Sequence, residues 1–456
     1  MEETSSFVVV SNRLPVSRDE EEDSWVTSSG GLVSALVPIL RERDGVWIGW
    51  TGAPDFAPPP FAHDGMRLDP VALDQDEMDR YYLGFCNNTL WPLYHNAIRT
   101  PQYHRRWWHP YRRVNERFAD EVGRVLAPEG VAWVHDYQLQ LVPGLLRERR
   151  PDATIGFFLH IPFPPVELFA YLPWRESLLR GLLGADVLAF QTEQSVNNFR
   201  DAALRYSTAR KAGDGLEYAG RRVTLQCAPI SVDAEAFERT ARCVFGQANE
   251  LRQRFAPARR ILLGVDRLDY TKGIDHRLRA IQTFHERHPE DAANTVLMQL
   301  AVPSREGVLQ YAEQRERVER LVSRINGEYG GPGYTPVVYM YRHLEFEELV
   351  AAYVAADVML VTPLCDGMNL VAKEYVASRT SDDGLLVLSE FAGAASELTD
   401  ALLINPLNLD ELAETLRHAV RITTIEMATR MRSLRETVRR NDVYRWSRAC
   451  IEALET

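Results

Sequence analysis

The feature that most constrains this chain is a short run of uninterrupted apolar residues that recurs from end to end. Residues 7–10, 131–134, 155–159, 187–190, 261–265, 296–300, 337–341, 358–361 and 385–388 all have this form. Continuous rather than alternating hydrophobicity marks strands buried on both faces, as in a parallel sheet covered by helices. Helix-like segments lie between the runs. Leu309, Ala312, Val318, Leu321, Val322 and Ile325 mark one face of a helix expected to stop near Gly327. Strand and helix alternate, so the class is α/β. So many strands exceed a single sheet, and two doubly wound, Rossmann-like domains are expected, residues 1–235 and 236–456. The polar stretch 239–258 would hold the hinge between them. The acidic run 19–23 reads as a solvated loop.

Composition narrows the class of partner. Of 456 residues, 45% are hydrophobic and 25% charged, the balance of a globular protein with a large core. Lys and Arg number 52 against 64 Asp and Glu, for a net charge of −12. Such a chain lacks the basic field that nucleic acid requires, although a small anion in a local basic pocket is compatible with it. Five cysteines are scattered without a CxxC, which argues against a disulfide scaffold or zinc cage and fits a reducing compartment. No signal-peptide pattern and no apolar stretch of about 18 residues is visible. A cytoplasmic enzyme away from membranes is the expectation.

In open α/β sheets, ligands sit beyond the carboxyl ends of the strands. His135 and Asp136, then His160, then Asp266 and Arg267 follow apolar runs directly. These positions point to a cleft between the two domains. Ser28-Ser29-Gly30-Gly31 opens an apolar run to Leu40, where glycines permit close backbone approach to an anion. Gly264 to Gly273 places Arg267 and Lys272 on one loop, two cations able to grip a diphosphate without metal. Pro363 to Glu374 turns through Gly367 into a helix whose amides could cradle phosphates, with a carboxylate further along for ribose hydroxyls. Each feature has a plain alternative: a turn, a surface salt bridge, a capped helix. Asp74-Gln-Asp76 has the form of a metal-binding DxD but a helix-capping context, and His285 and His288 are wrongly spaced for a zinc helix. The basic aromatic stretch 104–113 reads as packing or subunit contact.

Taken in order, several of these segments carry a resemblance. They are VVVSNRLP from Val8, Tyr82 with Leu90-Trp91-Pro92, Val134-His135-Asp136-Tyr137 and FFLHIPFP from Phe157. RLDYTKG from Arg267, AVPSR ending at Arg305, Arg324-Ile-Asn-Gly327 and DGMNLVAKE from Asp366 to Glu374 complete the set. The chain resembles the trehalose-6-phosphate synthases, retaining nucleotide-sugar glycosyltransferases of family 20, from about residue 7 to 450. The resemblance implies the GT-B fold, with a last helix around 441–454 crossing back to the N-terminal domain. It implies glucose transfer from a nucleoside-diphosphate glucose to glucose 6-phosphate with no cofactor, metal or enzyme nucleophile. Arg267 and Lys272 match the diphosphate-binding pair, and Glu374 the ribose carboxylate. Leu370, Val371, Ala372 and Lys373 match the adjoining donor loop, Gly30 and Gly31 the glycine turn over the donor, and Asp366 a sugar-hydroxyl ligand. Arg13, Tyr82 and Arg305 match the acceptor-phosphate site, with Trp50 on the same wall. Asp136 matches an acceptor-hydroxyl ligand, and His160 and Trp91 the positions that shape α-selective transfer.

Leu344 stands where some relatives place Phe beside the base, and Cys365 where a relative carries Arg. The choice of uracil or guanine therefore stays open, as does a homo-oligomer, dimer or tetramer. A pseudo-glycosyltransferase coupling a nucleotide cyclitol to an amino-sugar phosphate, or a non-catalytic sugar-phosphate sensor, would share the fold but diverge in these motifs. A dinucleotide oxidoreductase would want GxGxxG after the first strand, where this chain has Ser-Asn-Arg.

Overall fold

The structure, a computed structural model, describes residues 4–19, 24–27, 31–255, 259–304 and 309–455. Each apolar run lies in a strand: Ser5–Arg13, Leu126–His135, Thr154–Leu159, Val187–Phe190, Arg260–Arg267, Thr295–Val302, Val337–Tyr341, Val358–Val361 and Leu385–Ser389. Val8, Val9 and Val10, on alternating faces of the first, are all fully buried, as two covered faces require.

The chain divides into two compact units, Met1–Pro229 with Tyr444–Thr456, and Ile230–Val443. The dividing point is Pro229/Ile230 rather than 235/236. The stretch read as a hinge instead forms helices Ala234–Cys243 and Phe245–Phe255, both within the second unit. Its polar composition hides a helical period: Phe237, Ala241, Val244 and Ala248 are the buried positions, at steps of three and four.

The first unit carries a ten-stranded sheet. Across it the order is Arg210–Ala212, Gly215–Tyr218, Arg221–Cys227, Val187–Phe190, Thr154–Leu159, Leu126–His135, Ser5–Arg13, Val46–Trp50, Met66–Pro70 and Phe61–His63. Strands from Arg221–Cys227 to Met66–Pro70 run parallel, and antiparallel hairpins close the two edges. A separate ribbon pairs Val16–Asp19 with Ser24–Thr27; of the acidic run, residues 20–23 lie outside the described residues. The final helix, Val443–Glu455, packs Trp446 against Trp133 and Phe158, at ring distances of 5.5 and 5.1 Å. Gly156 makes room for that helix, since a Cβ there would stand 2.6 Å from Leu454.

The second unit carries a six-stranded, wholly parallel sheet. Its order is Val337–Tyr341, Thr295–Val302, Arg260–Arg267, Val358–Val361, Leu385–Ser389 and Leu402–Ile404. Leu262, Leu297, Leu360 and Val387 from these strands meet Leu278, Ile281 and Phe284 of helix Ile274–Arg287 in one apolar core. The helix expected to end near Gly327 runs on from Leu309 to Tyr329. Asn326 holds that last turn, exchanging bonds with both N–H and C=O of Val337 at 2.9 Å, and Tyr329 packs on the core. No helix among the described residues is long and apolar enough to cross a membrane.

Candidate active site

In the second sheet, strands Arg260–Arg267 and Val358–Val361 are neighbours, so the loops leaving their carboxyl ends run side by side. The pleat turns Asp266 inward and Arg267 outward. Asp266 is 5% exposed and accepts from Nη1 of Arg277 at 2.6 Å, whereas Arg267 is exposed. Arg277, itself 1% exposed, also donates to Thr362 at 3.1 Å and Gln299 at 2.8 Å, pinning the floor beneath both loops. Burial raises the Asp266 carboxyl above its ordinary range despite the pull of Arg277.

Above that floor, Asp269 accepts from the Thr271 amide at 2.9 Å and folds Tyr270–Lys272 into one tight turn. Gly273 follows at φ +65°, where a Cβ would come within 2.2 Å of the Thr362 carbonyl. Lys272 is enclosed, not in the surface salt bridge that is the plain alternative for this loop. It is 9% exposed, and its Nζ stands 2.5 Å from Oδ2 of Asp366, which also accepts from Asn369 at 3.0 Å. Asp366 comes from the adjacent strand's loop 94 residues later, and local sequence gives no sign of that pairing.

Helix Leu370–Ser378 starts after Asn369, which adopts φ +70°. The first amides of a helix, here Leu370, Val371 and Ala372, have no acceptor within it and are oriented toward anions. One turn on, Glu374 is partly exposed and accepts from the Tyr353 hydroxyl at 2.7 Å; burial raises its carboxyl above the ordinary range. Lys373 faces the other way. Its ammonium, 1% exposed, meets Glu397 at 2.5 Å and the Ile230 carbonyl at 2.8 Å, so only its backbone is available to a ligand. Leu344 and Cys365 are both buried, and burial pushes the Cys365 thiol up to about 12.

In the first unit, adjacent strands Ser5–Arg13 and Val46–Trp50 end in Arg13 and Trp50. The Arg13 guanidinium lies 5.0 Å above the Trp50 ring, where burial lowers its pKa from the ordinary value, and Trp50 meets the ring of Tyr82 at 5.9 Å. Trp50 is locked by its indole N–H on the Ala53 carbonyl at 2.9 Å. Gly52 adopts φ +98°, a conformation that favours glycine, and a Cβ there would sit 2.0 Å from the Arg13 guanidinium carbon and displace it. Tyr82 lies on a π-helix, Met78–Leu90, whose wider turn often marks functional positions. Tyr81 anchors this helix to the first strand by donating to Asn12 at 2.7 Å. Trp91 follows directly, 4% exposed, with His95 and Tyr137 at ring distances of 4.1 and 5.7 Å.

Two strands further along, His135 ends Leu126–His135 and His160 follows Thr154–Leu159. Between them Asp136 adopts φ +74°, ψ 169°, backbone geometry that is essentially reserved for glycine. Its N–H is held by the Phe158 carbonyl at 2.8 Å, and its Oδ1 accepts from the His160 amide at 3.2 Å. The two imidazoles meet directly, Nδ1 of His135 lying 3.1 Å from Nε2 of His160. Burial holds His160 near 3 and His135 well below its ordinary value, so both rings are neutral at physiological pH.

Of the other expected positions, Gly31 is the first residue of helix Gly31–Glu42, and Gly30 and Arg305 lie outside the described residues. Asp74 caps a short helix in a reciprocal bond pair with Glu77, and Asp76 pairs with Arg80. Among the described residues no three His, Cys, Asp or Glu side chains gather in an arrangement able to hold a metal. A cavity of about 350 Å³ in the first unit, lined by Trp108, Arg112 and Arg180, touches none of the candidate residues. Sequence reasoning missed Gly52, Arg277 and Tyr353. Each acts on a residue of another element, and only Gly52, next to a buried aromatic run, carried a local signal.

The model of glycosyltransferase family 20 matches residues 5–456. A trehalose-6-phosphate synthase of Mycobacterium sp. (strain KMS) is 50% identical over 464 residues, covering 99% of this chain and 95% of that protein. Among solved structures, a UDP-forming alpha,alpha-trehalose-phosphate synthase from Burkholderia xenovorans superposes with a TM-score of 0.93 at 34% identity, over 99% of each chain. Another structure of such an enzyme from that organism, in complex with glucose 6-phosphate, gives 0.90 at 33% identity, covering 99% of this chain and all of that one.

Proposed function

This chain belongs to glycosyltransferase family 20, and from that premise we propose that it transfers glucose from a nucleoside-diphosphate glucose to glucose 6-phosphate. The product is trehalose 6-phosphate, formed with retention of the α configuration. The observation that carries this reading is the paired loops of Arg267–Lys272 and Asp366–Glu374, in a chain matched end to end by trehalose-6-phosphate synthases. UDP-glucose is the donor we favour, because the two solved structures named above are of UDP-forming enzymes.

On this reading the bond from the anomeric carbon to the diphosphate oxygen breaks, and its electron pair leaves with the diphosphate. Arg267 and Lys272 meet that charge as it develops, which favours the transition state over the bound substrate. Helix amides at Leu370–Ala372 take phosphate oxygens, Glu374 takes the ribose hydroxyls and Asp366 a sugar hydroxyl. Arg13, Tyr82 and Arg305 hold the acceptor phosphate against the Trp50 wall, and Asp136 holds an acceptor hydroxyl. His160 and Trp91 shape the face on which transfer occurs. With cations supplied by the chain, no metal is needed.

Labelled UDP-glucose and GDP-glucose, each offered with glucose 6-phosphate in excess chelator, test the reading. Trehalose 6-phosphate should accumulate from UDP-glucose. Activity that needs magnesium or manganese would remove the two-cation account, and no disaccharide phosphate from either donor would remove the reaction.

A further inference from the structure

His160 is gripped at both ends by two consecutive residues of the neighbouring strand. Asp136 takes its backbone N–H at 3.2 Å, and His135 meets its ring nitrogen Nε2 at 3.1 Å. His135 itself is fully buried, packed against Trp133 at 4.7 Å, and Trp133 is braced in turn by Trp446 of the final helix. It therefore touches no ligand, and its contact with His160 is its one polar role among the described residues.

Between two neutral imidazoles a single proton makes the bond, so two arrangements compete. If Nε2–H of His160 donated, the proton of His135 would sit on its own Nε2. That atom is buried with no hydrogen-bond partner among the described residues, and an orphaned N–H is the rarer and costlier kind of unpaired group. If instead Nδ1–H of His135 donates, Nε2 of His135 keeps only a lone pair. A second argument points the same way. The Asp136 carboxylate lies at the backbone end of His160, the end that carries Nδ1, and its negative charge favours a proton there.

We propose that His135 is a positioning residue, whose Nδ1–H donates to His160 and fixes it as the Nδ1–H tautomer, so that His160 presents the sugar with a hydrogen-bond donor of set direction. The inference rests on the proposed transfer reaction for the word sugar, and for the tautomer on the contact of the two rings, the Nε2 of His135, partnerless among the described residues, and the Asp136 charge. The role is that of a partner behind a metal-ligating histidine, where the bond at one ring nitrogen decides what the other offers.

The test has two arms on the full chain. In the first, imidazole ¹⁵N spectra of histidine-labelled wild type, assigned with His135→Asn and His160→Asn, should show the proton of both rings on Nδ1. Protons on Nε2 of both would overturn the proposal. In the second, turnover is measured with UDP-glucose and glucose 6-phosphate. His135→Leu, which deletes the donor, should lower kcat about tenfold with little change in KM for the acceptor, the size of one lost hydrogen bond. His135→Asn places an amide N–H where Nδ1 stood and should recover most of that loss. Equal rates for the two variants would reduce His135 to packing. Absence of transfer in the wild type would remove the proposed reaction, and the tautomer would then decide this inference by itself.

Discussion

Arg13 in the first unit stands over the face of Trp50 without a carboxylate partner among the described residues, whereas Lys272 in the second is enclosed and held by Asp366 at 2.5 Å. A cation partly desolvated on an aromatic face, its pKa lowered by burial, gains from the arrival of an anion. An ammonium that is 9% exposed needs a counter-ion at all times, and Asp366 supplies it. On the proposed reading, a ligand phosphate would add to what Arg13 has, but would compete with Asp366 for Lys272. The first site would then serve capture. In the second, the cation is already aimed, and its charge would be released when a stronger anion displaced the carboxylate.

The largest expected effect follows from that difference. Lys272→Ala should cut turnover by two or more orders of magnitude, about 3–4 kcal/mol of lost electrostatic stabilisation. It should also destabilise the fold by about 1–3 kcal/mol, since the Asp366 side chain, 13% exposed, loses its ion pair and keeps its bond from Asn369. Arg13→Ala should lower kcat/KM for glucose 6-phosphate about ten- to a hundred-fold, the worth of a charged hydrogen bond, with an unchanged denaturant midpoint. Kinetics and urea titrations of both variants settle the matter. Equal effects on stability would erase the contrast between the two cations.

A milder variant sharpens it. Gly52→Ala leaves Arg13 chemically intact but puts a methyl group where the guanidinium lies, at a φ of +98° that alanine adopts only with strain. It should raise KM for glucose 6-phosphate about tenfold or less and leave the KM for the nucleotide sugar unmoved. A shift in the donor KM alone would show that Arg13 belongs to the other ligand.

Sequence and structure agree most where burial dictates pattern. The nine apolar runs became strands because both faces of a parallel sheet are covered, which leaves no polar alternation to confuse the reading. Where covering is one-sided the reading failed: residues 239–258 looked like a polar hinge, and those described, to Phe255, fold almost entirely as helices with a sparse apolar stripe. The chemistry-bearing residues were legible as types at strand ends, Arg13, Asp136, His160 and Arg267 among them. Their states were not. That Lys272 is paired, that Lys373 turns inward to Glu397 and that His135 meets His160 depend on contacts across 94, 24 and 25 residues. No local pattern encodes these, because neighbouring parallel strands are joined through long crossovers.

The smallest effect extends the comparison from ligand-facing charges to buried ones. In the first unit, burial pushes two histidines down, His160 to about 3 and His135 well below its ordinary 6.5. In the second it pushes one histidine down, His285 to about 4, and two carboxyls up, Asp266 and Glu374. A histidine whose folded pKa lies below its unfolded value contributes full stability above about 6.5. As pH falls below that, the unfolded chain takes up a proton that the fold refuses, and stability drops by about 1.4 kcal/mol per pH unit per histidine. The raised carboxyls act oppositely, since their folded forms hold a proton at a pH where the unfolded chain has lost it. Acidification relieves that burden as pH falls through their folded values. Between pH 7 and 5.5 the first unit should thus lose about 1.4 kcal/mol more than the second, the worth of one histidine. Native-state hydrogen exchange at the two pH values, corrected for intrinsic rates, reads each sheet separately. His135→Asn removes one of the two refused protons and should bring the two losses level. A second unit that loosened as much as the first in the wild type would mean that the histidine pair is more open to water than its packing against Trp133 and Phe158 implies.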